Sequence, residues 1–431
     1  MMQTRIDYGK EGLAFEIPEA VDAHVVRPMF VEASADQIGL VRASLENPIA
    51  TRRLRAIAKR GDSVGIVFSD ITRATPYGAM LPPLLEEIHA AGVRPGDITF
   101  FCATGTHRPC SKSELEAILG QAIASQYRVV QNDCTDTSSH RVVGTTRSGN
   151  QIEILREFLD CNLRVLTGFI EPHFFAGMSG GGKAVMPGLG SLASIQRNHS
   201  VSHIDNDQAR WGITIGNPLW EEIQEAALLT EPTFILNVAM NRSKSITASF
   251  AGDFVEAHRV GCEHVRAAAM VPVPGQFDVV VTSNSGYPLD LNLYQCVKGM
   301  SAANQIVKQG GHIVMAGECW DGVPEHGEFR SLLAKAQTPS DLLRTIRTPG
   351  FLSPDMWQAQ IHARVCERAT VHFYSDYLSD EQMRDAFLEP CADIGALLRS
   401  LCDQADGALT LCVLPEGPLT IPHVEEKEAT K

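Results

Sequence analysis

The segment His173 to Gly188 reads HFFAGMSGGGKAVMPG. Gly177, four residues, then Gly182 and Lys183 is the spacing of a loop that cradles nucleotide phosphates. Such a loop needs Ser or Thr after the lysine, because that hydroxyl holds a magnesium ion. Here the residue is Ala184, which has no oxygen to offer. No second strand ends in a partner for a magnesium-bound water, so a nucleotide hydrolase is poorly supported. Gly180, Gly181 and Gly182 let backbone approach a ligand closely and can turn amides toward an anion. The plainer alternative is a tight loop with no ligand. What Lys183 does is left open by the spacing alone.

Four further segments place polar groups directly after apolar runs. FSDITRATP carries Asp70, Thr72 and Arg73; GTHRP carries His107 and Arg108; EPH carries Glu171 and His173. YPLDLNLYQCVKG carries Tyr294, Gln295 and Lys298, whose separations of three and four put them on one face of a helix. Singly, each has an ordinary explanation: a turn former, a helix cap, a surface histidine, a solvated lysine. Together, two histidines, an arginine and a lysine suit proton transfer near neutral pH beside an anionic substrate.

The runs that precede these residues are strand-like. VGIVFSD, ITFFCAT, YRVVQND, RVLTGFI, FILNVAM, DVVVTSN, HIVMAGE, ATVHFYS and ALTLCVL are continuous apolar stretches, the pattern of strands covered on both faces. Helical patterns such as GAMLPPLLEEIHAAG and SKSELEAILGQAIASQ lie between them. The alternation predicts an α/β chain of mostly parallel sheets flanked by helices, with ligands beyond the carboxyl ends of the strands. MVPVPGQF (270–277) is expected to be the boundary between an N-terminal domain, 1–270, and a C-terminal domain, 275–431. Lys183 and Lys298 fall on opposite sides of it, which predicts an active site in the interdomain cleft. The polar tail HVEEKEATK is expected to fray.

Composition narrows the function classes. The 431 residues are 44% hydrophobic and 20% charged, an ordinary globular balance. With 37 basic and 51 acidic residues the formal charge is -14, which argues against a large nucleic-acid footprint. No apolar stretch predicts a signal core or membrane span, so a cytoplasmic enzyme without membrane attachment is expected. The 11 cysteines contain no C-x-x-C pair and read as small buried thiols.

DITRATP, GTHRP, EPHFFAGMSGGGKAVMPG, the NH at 198–199 and YPLDLNLYQCVKGMSAA occur together in an order that resembles the lactate racemase family, enzymes built around a nickel-pincer nucleotide. The motifs run from Asp70 to Trp357. The resemblance implies that Lys183 carries the pyridinium-3,5-bisthiocarboxylic acid mononucleotide nickel cofactor through a thioamide bond. A tethered nucleotide with one phosphate needs no magnesium hydroxyl, which would explain Ala184. It further implies that His199 is the protein ligand to Ni and that His107 and His173 are the paired acid and base. Arg73 and Lys298 match the carboxylate clamp. Asp70, Tyr294, Gln295 and Trp357 match lining positions: Asp70, with Thr72, Gly180, Gly181 and Gly182, is implied to bind the cofactor, and Tyr294, Gln295 and Trp357 the substrate. The expected activity is racemisation or epimerisation of a small 2-hydroxy acid by reversible hydride transfer. Maturation enzymes that build the cofactor are the implied partners, and a homodimer is compatible with the reading.

Two rival readings differ in kind. An NAD-type 2-hydroxyacid dehydrogenase would need a glycine-rich turn after an early strand, and VGIVFSDITRATP has none. A non-catalytic binder of nucleotides or carboxylates would have no use for paired histidines. The residues that meet the far end of the substrate are not identifiable, so lactate, malate, aromatic hydroxy acids, hydroxyglutarate and sugar acids all remain open.

Overall fold

Val64, Ile66, Val67 and Phe68 are fully buried in succession, so the strand Val64–Ser69 is covered on both faces, as its uninterrupted apolar run requires. It lies inside a six-stranded sheet in a computed structural model that describes residues 2–425 apart from 20, 30, 326 and 406. In order, that sheet is Ile246–Gly252, Phe234–Met240, Leu163–Phe169, Val64–Ser69, Ile98–Ala103 and Arg128–Gln131. The first pair is antiparallel and every other pair is parallel. Each buried Val, Ile or Phe contributes about 1.5–3 kcal/mol relative to exposure.

A second six-stranded sheet runs Glu389–Pro390, Thr370–Tyr374, Val307–Ala316, Phe277–Ser283, Thr410–Leu414 and Asp22–Val25. All its pairs are parallel. All nine strand runs read from the sequence form strands in these two sheets.

The chain packs as two compact units, Phe30–Ala267 and a second made of Met1–Met29 with Ala268–Lys431. This corrects the expected 1–270 and 275–431 division. The first 29 residues pack with the carboxyl-terminal unit, because Asp22–Val25 adds an edge strand beside Thr410–Leu414. Ile6, Tyr8, Phe15 and Ile17 join that unit's core, beside Val279, Val281 and Val413. MVPVPGQF is no linker either: Met270–Val273 pairs in parallel with Ile421–Val424. The helix expected over 111–126 is two, Lys112–Leu119 and Gln121–Gln126, broken where Gly120 turns to φ 82°. The tail expected to fray, 423–431, begins as strand instead, with His423 and Val424 paired to Pro272 and Val273; its remaining residues from 426 lie outside the described ones. Among the described residues no helix is long and apolar enough to cross a membrane. The 11 cysteines are free thiols, all buried or half-buried.

Candidate active site

Three adjacent strands of the larger unit end at the segments singled out above. Val64–Ser69 runs into Asp70, Thr72 and Arg73; Ile98–Ala103 runs into His107; Leu163–Phe169 runs into Glu171 and His173. The tertiary ties are specific. Gly105 N–H donates to the Gly188 carbonyl at 3.0 Å. Asn132, behind the same loop, donates to the Gly190 carbonyl at 3.1 Å. The histidine loop is thereby fastened to the chain that follows Lys183.

Asp70 is 3% exposed and its carboxylate is fully engaged. One oxygen accepts from the Thr72 amide at 3.1 Å and hydroxyl at 2.6 Å. The other accepts from His107 Nδ1 at 2.6 Å. Burial opposes its charge, but the bonds from His107 and Thr72 and the nearby Arg73 outweigh burial and hold the carboxyl below its ordinary pKa. A carboxylate can only accept, so the neutral His107 ring carries its proton on Nδ1 and its lone pair on Nε2. The ring itself is exposed. Asp70 was read as a lining residue on the cofactor side; in the structure its carboxylate is bonded to His107 Nδ1. An aspartate and a histidine at neighbouring strand ends were the available signal.

His173 is buried and has the opposite arrangement. The Ala176 amide donates to its Nδ1 at 3.2 Å, so in the neutral ring the proton lies on Nε2. Phe175 stands edge-on to His173, with centroids 4.5 Å apart, and edge-on to His199, 5.2 Å apart. The Lys183 amine lies 5.7 Å from the same ring. Phe175 thus gathers one catalytic candidate, the tether candidate and the metal-ligand candidate, a role that an aromatic in HFF did not announce.

His199 ends the helix Leu192–Asn198 and is buried. Burial, with the Lys183 charge beside it, pulls its pKa down to about 3, so the ring is neutral. Its Nδ1 donates to the Ile195 carbonyl at 3.1 Å, which puts the lone pair on Nε2. That is the form in which imidazole binds a metal.

The glycine turn is held by side chains that sequence reasoning missed. Gly181 N–H donates to Asn237 Oδ1 at 2.9 Å, and His258 Nε2–H donates to the Ser179 carbonyl at 3.0 Å. Burial lowers the His258 pKa to about 4, so it too is a neutral donor. Gly181 has φ 52°, and a Cβ there would lie 2.4 Å from the His258 ring. Gly177 has φ 71°, and a Cβ there would lie 1.8 Å from the Ile213 carbonyl oxygen. Gly180 and Gly182 complete the turn from which Lys183 projects, half-buried.

The smaller unit carries the remaining candidates. In the helix Leu293–Ala303, Leu293, Cys296, Val297, Gly299 and Met300 are buried, while Tyr294, Gln295 and Lys298 are half-exposed on the face their spacing predicted. Asn292 caps the helix by accepting from the Gln295 amide at 3.1 Å. The Tyr294 hydroxyl donates to Asp355 at 3.4 Å, and Gln358 donates to the Tyr294 carbonyl. Trp357 is 5% exposed on Met356–Arg368, a helix that packs against the one carrying Tyr294.

These features can be set beside known proteins. The lactate racemase N-terminal domain matches residues 8–212, and the lactate racemase C-terminal domain matches residues 274–421. The lactate racemase of Thermoanaerobacterium thermosaccharolyticum is 36% identical over 431 residues, 99% of this chain and 100% of that protein. The lactate racemase of Lactiplantibacillus plantarum is 36% identical over 379 residues, 88% of this chain and 89% of its own length. The structure of the lactate racemase apoprotein from T. thermosaccharolyticum superposes with a TM-score of 0.90 at 35% identity, covering 99% of this chain and 100% of that one. A crystal structure from Thermotoga maritima shares the fold at 17% identity, with a TM-score of 0.68 over 91% of this chain and all of that one.

Proposed function

The chain belongs to the lactate racemase family, and on that premise we propose that it inverts C2 of a 2-hydroxy acid, lactate or a close relative, with a nickel-pincer nucleotide tethered to Lys183. The observation that carries the reading is the opposite proton placement of the two histidines, a lone pair on Nε2 of His107 and a proton on Nε2 of His173. An inverting enzyme needs one group to take the hydroxyl proton and another to return one.

The residues present fit the cofactor. His199 offers one neutral nitrogen donor, suited to nickel. Among the described residues no group of three or more His, Cys, Asp or Glu side chains is arranged for a metal. One imidazole is too little to hold the ion, so the remaining donors would come from the tethered group. When bound, the group supplies a two-electron acceptor that takes the C2 hydride and gives it back. His107 Nε2 accepts the hydroxyl proton, with Asp70 stabilising the charge that forms. His173 donates a hydrogen bond from Nε2 to the substrate oxygen; to return a proton it acts from its imidazolium form, which leaves a neutral ring, and in the reverse direction the two histidines exchange roles. Arg73 and Lys298 are assigned the carboxylate, Gln295, Tyr294 and Trp357 the lining, and Thr72 and the glycines the cofactor segments. Cofactor-building enzymes are the partners this chemistry requires.

Protein matured with those enzymes should racemise at least one acid in a panel of single-enantiomer 2-hydroxy acids, followed by chiral chromatography without added NAD. Deuterium at C2 should remain in the product. Inactivity across the panel at full loading removes the racemase reading. Washout of deuterium into water replaces hydride transfer by proton abstraction at carbon.

A further inference from the structure

Glu222 lies on the helix Pro218–Leu228 and is 4% exposed. Among the described residues no cation is bonded to it. Its carboxylate accepts from Thr146 Oγ1 at 3.0 Å, Asn150 Nδ2 at 3.2 Å and Asn198 Nδ2 at 2.8 Å, and from the Ser148 hydroxyl. Burial opposes its charge; the bonds from Ser148, Asn198 and Asn150, with His203 nearby, more than offset that and hold the carboxyl below its ordinary pKa. The arrangement is costly as a stabilising device. Asn150 Oδ1 and Asn198 Oδ1 are buried without a hydrogen-bond partner, and apolar packing would hold these segments at lower cost.

Its location supplies a reason. Asn198 immediately precedes His199, and its Nδ2 also donates to the Leu219 carbonyl at 3.3 Å. Asn150, held by the same carboxylate, donates to the Ser194 carbonyl one turn earlier in that helix at 3.0 Å. The next residue, Ile223, abuts the other anchor: a Cβ on Gly182 would lie 3.0 Å from its carbonyl oxygen. Residues 222 and 223 of one helix therefore touch the chain neighbours of both His199 and Lys183.

We propose that Glu222 is the positioning residue for His199, fixing the last turn of its helix against the helix that also backs the Lys183 turn, and so setting the spacing between metal ligand and tether. The inference rests on the assignment of those two residues as cofactor anchors. Two measurements test it on Glu222→Gln, which keeps the side-chain shape but turns an amide donor toward donors. In ¹⁵N-histidine-labelled apoprotein, long-range proton–nitrogen spectra should give His199 as the Nδ1–H form in the parent and as mixed tautomers in the variant. In matured protein, nickel per Lys183 adduct should fall by about tenfold or more, the scale of a lost orienting contact. Asn198→Ala, which leaves the carboxylate its Thr146, Ser148 and Asn150 donors, should reproduce both changes. Glu87→Gln, a buried carboxylate in another part of the same unit, should lower thermal stability and alter neither.

A parent-like tautomer and nickel ratio in both Glu222→Gln and Asn198→Ala, with only thermal stability reduced, overturns the proposal. If the parent itself forms no adduct, the cofactor reading fails, while the tautomer measurement still decides whether Glu222 orients His199.

Discussion

Replacing Asp70 by Asn alters one atom and should disable His107. The Thr72 amide can only donate, and it faces the Asp70 oxygen that also takes the Thr72 hydroxyl. In Asp70→Asn the amide oxygen must keep that position, which turns the amide NH₂ toward His107 Nδ1. Two donors cannot meet there. Nδ1 must give up its proton, and the ring's single proton moves to Nε2, where the base is required. The loss expected is that of one general base and its charge partner, about 10²–10⁴-fold in kcat, or ~2.7–5.4 kcal/mol of transition-state stabilisation. KM should change little, because Arg73 and Lys298 are untouched. The assay is the initial rate from each pure enantiomer on protein whose cofactor loading has been verified by mass. Two enantiomers have equal free energy, so kcat/KM must fall by the same factor from both sides. A kcat within about threefold of the parent, or a change confined to KM, would refute the orienting role.

Other perturbations reach different links. Lys183→Ala should abolish the covalent adduct seen by intact mass after co-expression with maturation enzymes; an unchanged adduct revives the phosphate-loop reading. His199→Ala should retain the adduct and lose nickel by at least about tenfold, measured by metal analysis; full occupancy would move the ligand elsewhere. Gly177→Ala forces a side chain into φ 71° and against the Ile213 carbonyl, and should cost about 2–5 kcal/mol in urea unfolding; a parent-like midpoint would contradict the close approach. Glu87 is opposed by its burial but held below its ordinary pKa by Arg53 and Arg55. Its stabilising contribution is therefore present above about pH 4.3, the unfolded value, and is lost as pH falls through the lower folded value. Glu87→Gln should narrow the stability difference from the parent as pH drops from 6 toward 3; a gap that widens on acidification reverses the assigned sign.

What the sequence disclosed follows a physical division. Strands covered on both faces announce themselves by composition, so all nine runs were legible. Asp22–Val25 was not, because a four-residue edge strand with a polar start needs no apolar run. Met270–Val273 was hidden by its own proline, which reads as a linker until Ile421–Val424 is seen beside it. In the site, the residues found were polar groups at strand ends, where a side chain has no packing reason to be polar. Those missed, Glu222, Asn237, His258 and Phe175, sit inside elements or apolar runs. For Asn237, Glu222 and His258 the purpose shows only in partners 56, 74 and 79 positions away, Gly181, Ser148 and Ser179, and for Phe175 only in the ring of His199 beside it. Asp70 was found for its position but not for its partner, since nothing local links it to His107.

The edge strand Asp22–Val25 has a consequence for how the chain is made. The strand it pairs with, Thr410–Leu414, is synthesised only after all of the intervening chain has been made. Until then the segment that carries the apolar Ile6, Phe15 and Ile17 lacks part of the core it joins. The 30–267 unit, whose contacts lie entirely within one stretch, can meanwhile assemble as it emerges. The smaller unit must then join segments that flank the 30–267 stretch in sequence, a long-range pairing that is intrinsically slow.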